Sequence, residues 1–223
     1  MIKKIALALT LAIAPLSSYA ANFYEGTHYT EISDKAASTQ PKLTEFFSFY
    51  CHNCYTFENQ YMPAIKPHLN KNIQFETKHV EFQPSTLMTE VMRSLAVIQE
   101  LSKDNPQKMG PMNLAMFNAI QGEPTDTHDH GAPGDNHEPK IKNRDDIKKL
   151  FMQFGVSADQ YDKLADSKET NDKLALWRKQ AREFRVQSVP AFIVNDKYMV
   201  NLGNIRNLGE MIDLINFLST KQG

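Results

Sequence analysis

The sequence holds two cysteines, Cys51 and Cys54, separated by His52 and Asn53. Immediately before them, Lys42 to Phe49 reads KLTEFFSF. That run is rich in aromatics and has no breaker, so it reads as a buried strand. Immediately after them, Cys54, Phe57, Tyr61 and Ile65 recur at helical spacing and are expected to share one face. Pro63 lies inside that helix and is expected to kink it. Cys51 therefore sits where a strand turns into a helix. This junction is the strongest constraint on the fold, because it fixes a βα unit with both sulfurs at its head.

The pattern around the junction fills in the rest. Ile73 to Phe82 reads as a second strand. Helical stripes follow: Leu87, Val91, Leu95, Ile98 and Leu101, then Met112, Met116, Phe117 and Ile120. Ile147, Leu150, Phe151 and Phe154 make a third, with Asn143 as its N-cap and Gly155 just past its end. Ser157 to Gln160 resembles a capping box. Leu174, Trp177, Ala181 and Phe184 mark the last helix of this block. Such stripes of methionine and aromatic residues read as core. Ala191 to Val194, Asn195-Asp196 and Lys197 to Val200 then read as a hairpin, and Asn207 caps a final helix facing inward through Leu208, Met211, Ile212, Ile215 and Leu218. A strand–helix–strand half and a hairpin–helix half around one sheet is α/β architecture with a helical insertion. The segment Glu123 to Lys140 is dense in Pro, Gly, Asp and His and reads as an exposed loop within the helical block.

The compartment decides how a thiol is read. Residues 1–20 open with Lys3 and Lys4, continue through an apolar run from Ile5 to Leu16, and end on Ser18-Tyr19-Ala20. This is the pattern of a secretory signal peptide cleaved after Ala20, the alternative being an uncleaved anchor. The apolar run is short of the roughly 20 residues that span a bilayer. Of the 25 basic residues, removing Lys3 and Lys4 leaves 23 against 26 acidic ones. No basic excess points to nucleic acid. At 41% hydrophobic residues the chain can bury a real core.

Exported proteins keep disulfides. A bridge closing so short a loop constrains the unfolded chain little and makes a poor structural clasp. Structural zinc needs four ligands, and there is no second C-x-x-C. The remaining reading is a dithiol/disulfide couple that performs exchange chemistry.

In that reading a thiolate at Cys51 gains from the unpaired N–H groups and dipole of the helix N-terminus, so its pKa should fall below the ~8.5 of a free cysteine. Cys54, one turn in, should be the more buried partner. His52 and Asn53 lie within the reacting loop and are expected to tune the thiolate, or else are simply exposed. Glu45 is expected to exchange a proton with Cys54, or else to be an ordinary solvent-facing strand residue. Lys78 on the next strand is its candidate partner. A separate possibility is metal binding by His128, His130 and His137 with Asp126, Asp129, Asp135 and Glu138, against the plainer reading of a polar loop.

Two segments carry a family resemblance: Glu45-Phe46-Phe47-Ser48-Phe49-Tyr50-Cys51 with Cys54-Tyr55, and Val189-Pro190 followed by Ala191-Phe192-Ile193-Val194-Asn195. Together with the helical block and the leader, they make the chain resemble the DsbA family, periplasmic thiol:disulfide oxidoreductases with a thioredoxin fold and an inserted helical domain. The resemblance implies a signal peptide at 1–20, thioredoxin-fold parts at 21–85 and 187–223, and a helical domain at 86–186. It also implies a cis bond before Pro190, with Val189 and Pro190 beside Cys51 as a substrate platform. Substrates would be unfolded or folding exported polypeptides, and a quinone-linked membrane oxidase of the DsbB type would reoxidise the pair. No cofactor is expected, and a monomer is. The best-known members carry Pro-His between the cysteines, whereas His52-Asn53 stands here, and the Glu123 to Lys140 loop looks longer than usual. The same pair would also serve a periplasmic reductase or isomerase.

Overall fold

The computed structural model describes residues 23–34, 36–122 and 138–221. The leader, His128, His130, His137, Asp126, Asp129 and Asp135 lie outside the described residues. Glu138 is described; it is exposed and pairs with Lys142 at 2.6 Å. The chain is α/β, a mixed sheet flanked by helices.

The described residues form a five-stranded sheet in the order β1-β5-β4-β2-β3, with β1 Tyr29–Glu31, β2 Lys42–Phe47, β3 Gln74–His79, β4 Ala191–Val194 and β5 Tyr198–Val200. β2 pairs parallel with β3, and the other pairings are antiparallel. β2 is central and buried from Leu43 to Phe47. Its two faces divide the core. Leu43 points into a cluster with Phe192, Val194 and the last helix, while Phe46 points into one with Ile193 and Phe184.

The observed strands are shorter than expected, for visible reasons. β2 stops at Phe47, not Phe49, because the chain turns there: Cys51 N–H donates to the Ser48 carbonyl at 3.0 Å. Ile73 lies in a turn, donating to the Asn70 carbonyl at 3.0 Å, so β3 begins at Gln74. Strand β1 was not expected at all. It has three residues, sits at the sheet edge and shows no apolar alternation. The hairpin turns at Asn195 and Asp196, both left-handed at φ 54° and 55°. Such a two-residue turn matches strand twist, and Asn and Asp tolerate it. Asn195 is buried yet fully bonded. Its Oδ1 accepts from Lys42 N–H at 2.9 Å, and its Nδ2 donates to the Leu218 and Ser219 carbonyls.

The helix after Cys51 departs most from expectation. α1, His52–Thr56, runs into a π turn over Phe57–Tyr61 and then α2, Met62–Ile65. Pro63 has no N–H, so the Asn59 carbonyl cannot receive its usual partner. Instead, the backbone widens and Met62 N–H reaches the Phe57 carbonyl five residues back. Cys54 packs with Phe47, Phe49 and the helical block, while Phe57, Tyr61 and Ile65 pack on the other cluster. The four residues do not share one face.

Between β3 and β4 stand α3 Thr86–Leu101, α4 Met109–Gln121, α5 Arg144–Met152, α6 Ala158–Ala165 and α7 Lys168–Glu183. Side chains of Ser85, Asn143, Ser157 and Ser167 cap α3, α5, α6 and α7, each accepting the backbone N–H three residues on. α8, Leu208–Thr220, is capped by Asn207 in the same way and closes the chain against the sheet.

Candidate active site

Cys51 and Cys54 are joined as a disulfide, their Cα atoms 5.2 Å apart. Cys51 is the N-cap of α1, in extended conformation at φ −95° and ψ 114°. Its Sγ accepts the Cys54 N–H at 3.1 Å, and its carbonyl accepts the Tyr55 N–H at 3.1 Å. The helical run 52–65 thus presents its N-terminal end to this sulfur. The pair is asymmetric: Cys51 is partly exposed, and Cys54 has no exposure at all. His52 and Asn53 both lie exposed on the first turn.

The second motif comes to the first. The Val189–Pro190 bond is cis, and the Val189 carbonyl oxygen stands 3.3 Å from Cys51 Sγ. The sequence separation of 138 between Cys51 and Val189 is bridged by the pairing of β2 with β4, which sets Phe46 opposite Ala191.

Glu45 is 1% exposed. It faces Phe192 and Thr77 in neighbouring strands, on the face that carries Leu43 and Phe47. Phe47 packs in the cluster that holds Cys54. Burial raises the Glu45 carboxyl to about 8, the nearby Glu58 carboxylate pushes the same way, and Lys66 partly opposes them. Glu45 is therefore mainly a neutral acid at neutral pH. It is not a solvent-facing residue. Nor is Lys78 its partner. The register sets Lys78 beside Phe46, on the opposite face, where its Nζ bonds Glu76 at 2.9 Å and Gln180 at 2.8 Å. Glu58, in the π turn, accepts from Asn113 Nδ2 of α4 at 3.2 Å.

Two residues that the sequence did not single out hold the junction. His79, at the end of β3, accepts the Phe49 N–H on Nε2 at 3.1 Å. It is buried among Phe47 and Phe49, and burial lowers its pKa to about 3, so it stays neutral. Gln121, at the end of α4, donates from Nε2 to the Phe49 carbonyl at 2.5 Å and the Cys51 carbonyl at 3.1 Å. Gln121 ties the helical block to the cysteine loop from 70 residues away. No local pattern marks it, because its partners are backbone atoms on a distant segment.

Gln121→Leu, close in size but without a donor, is expected to strand the Phe49 carbonyl, to leave the Cys51 carbonyl with the Tyr55 N–H alone, and to cost about 1–3 kcal/mol. Urea unfolding of the oxidised protein measures this. A midpoint equal to that of the unsubstituted protein would mean that the two contacts contribute nothing.

A family model described as Thioredoxin matches residues 32–214. The thiol:disulfide interchange protein DsbA of Pectobacterium carotovorum is 31% identical, over 99% of this chain and 100% of that one. The Haemophilus influenzae DsbA is 32% identical, over 89% of this chain and 88% of its own. Among solved structures, DsbA from Proteus mirabilis with a non-covalently bound peptide PWATCDS aligns at TM-score 0.72 and 27% identity, covering 90% of this chain and 100% of that one. With likeness of this depth running through both motifs and nearly the whole length, the chain belongs to the DsbA family and is a thiol:disulfide oxidoreductase.

Proposed function

We propose that this enzyme donates the Cys51–Cys54 disulfide to polypeptides newly exported to the periplasm. The carrying observation is the asymmetry of the pair, with Cys51 reachable at a helix N-terminus and Cys54 wholly buried. A substrate thiolate attacks Sγ of Cys51; the Cys51–Cys54 bond breaks and Cys54 leaves as a thiolate. A second substrate thiolate attacks the substrate sulfur of that mixed disulfide and expels Cys51 as a thiolate. The substrate loses two electrons and gains a disulfide, and the enzyme pair is reduced. A low-pKa thiol leaves readily, so stabilising Cys51 speeds the second step and makes the couple more oxidising.

Glu45 supplies a proton to Cys54 as it leaves and takes it back on reoxidation. Its role rests on burial and on a carboxyl that titrates near the working pH. His52 and Asn53 tune the Cys51 thiolate from the exposed first turn. Val189 and Pro190 form the substrate platform, where an extended segment pairs with the backbone beside Cys51. The leader pattern of residues 1–20 supports export. No helix among the described residues is long and apolar enough to cross a membrane. In this reading the enzyme works as a monomer, and a quinone-linked membrane oxidase of the DsbB type restores the disulfide.

Equilibration against glutathione tests the direction of the reaction. An oxidase is expected near the oxidising end of couples that span roughly −270 to −120 mV. A value near the reducing end would overturn donation and leave a reductase. His52→Ala is expected to make the couple less oxidising by roughly 30 mV, and a shift below about 10 mV would remove His52 from the account.

A further inference from the structure

α7 ends on an arginine in an unusual backbone. Val186 N–H bonds the Ala181 carbonyl at 2.9 Å and Arg185 N–H bonds the Arg182 carbonyl at 3.0 Å, the two bonds of a Schellman cap. In that cap the residue after the C-cap is left-handed, and Arg185 takes φ 53°. Glycine adopts this conformation at no steric cost, whereas an L side chain pays about 1–2 kcal/mol. An arginine kept at such a position calls for a use of its side chain.

The surroundings indicate one. A groove of about 350 Å³ runs past the end of α7, lined by Phe82, Arg178, Arg182, Arg185 and Gln187. Arg178 is neutralised by Glu81, whose carboxylate lies at 2.7 Å. Arg182 and Arg185 are exposed and make no side-chain hydrogen bond or ion pair with any described residue. Phe82 beside them is 49% exposed. Arg185 and Gln187 also line the adjoining groove that contains Ser188 and Pro190. The two uncompensated cations thus flank the segment that leads into Val189, whose carbonyl stands 3.3 Å from Cys51 Sγ.

We propose that Arg182 and Arg185 select substrate polypeptides carrying acidic side chains close to the reacting cysteine, with Phe82 as an apolar contact between them. The inference rests on the substrate-platform reading of Val189 and Pro190. Charge of one sign along a docking track raises encounter rates and suppresses wrong partners more than it adds affinity.

The test compares oxidation rates of two reduced peptides that share one cysteine pair and differ only in four flanking residues, glutamates or glutamines. At low salt the glutamate peptide is expected to react roughly 5-fold faster, two exposed ion pairs accounting for that factor. The preference should vanish near 0.5 M salt, where screening is short-ranged. In the Arg182→Gln/Arg185→Gly double variant the preference should be lost while the glutamine peptide keeps its rate. The glycine should leave the unfolding midpoint unchanged or higher, so loss of fold cannot mimic the result. Equal rates for both peptides with the unsubstituted enzyme would overturn the proposal. So would a double variant that keeps the preference or slows both peptides alike. Phosphatidylglycerol vesicles supply the remaining arm: arginine-dependent sedimentation without peptide preference would mean that the patch reads lipid headgroups, and the proposal fails. Failure of the platform reading looks different: Pro190→Thr would then oxidise the glutamine peptide normally and accumulate no mixed disulfide.

Discussion

Glu45→Gln is expected to stabilise the folded, oxidised protein by about 3 kcal/mol near pH 7, while slowing disulfide donation. The stability change follows from linkage. Glu45 ionises near 4.5 in the unfolded chain and about 8 in the folded one. Below the unfolded value both states hold the proton and Glu45 carries no penalty. As pH rises towards the folded value, the unfolded state ionises first, and folding loses about 1.4 kcal/mol per pH unit. Glutamine keeps the shape and cannot ionise, so its advantage should be absent near pH 4 and full above pH 8. His79 acts in the opposite direction. Its pKa falls from 6.5 to about 3 on folding. Stability from this group is complete above 6.5 and is lost as pH falls towards 3, where the unfolded chain alone takes up the proton. From these two groups alone, stability should be level between about pH 4.5 and 6.5, where the slopes cancel, and should fall on both sides. Urea unfolding of both proteins across pH 4 to 9 checks this. A difference between wild type and Glu45→Gln that does not change with pH would show that Glu45 is not held neutral. The lost rate is a separate reading: glutamine has no proton to exchange with Cys54.

The sequence carried the fold class and the two motifs because both rest on local signals. An aromatic run ending in C-x-x-C marks a strand-to-helix turn whatever lies around it. The caps Asn143, Ser157 and Asn207 are equally local, each serving the N–H three residues on. What was hidden depends on strands meeting. The Lys78 side chain could be placed relative to Glu45 only once the parallel register set it beside Phe46. Gln121 and His79 act on backbone atoms of Phe49 and Cys51 from α4 and β3, so nothing near them in sequence announces the role. The helix after Cys51 shows a subtler limit. Pro63 signalled a break, yet the sequence showed neither the widened turn nor that Phe57, Tyr61 and Ile65 would pack on a different cluster from Cys54. β1 was missed because an edge strand of three residues shows no period.

The largest kinetic effect is expected at the cysteines themselves. Cys51 caps a helical run, accepts a backbone N–H at 3.1 Å and is reachable by solvent, whereas Cys54 is sealed under Phe49, Tyr55 and the helical block. A thiolate at Cys51 is favoured by these fixed dipoles, and one at Cys54 is penalised by burial. Cys51→Ala should therefore abolish disulfide donation. Cys54→Ala should leave a reactive thiolate at Cys51 that attacks a polypeptide already carrying a disulfide, expels one of its sulfurs as a thiolate and stays joined to the other as a mixed disulfide, since no internal partner remains to displace it. The most direct test of this assignment is the rate of iodoacetamide alkylation against pH for each reduced single-cysteine variant. The Cys54→Ala variant, with Cys51 alone, should titrate well below the ~8.5 of a free cysteine and react rapidly at neutral pH, and the Cys51→Ala variant should remain slow. Rapid neutral alkylation of Cys51→Ala, with Cys54→Ala slow, would contradict the account at its centre.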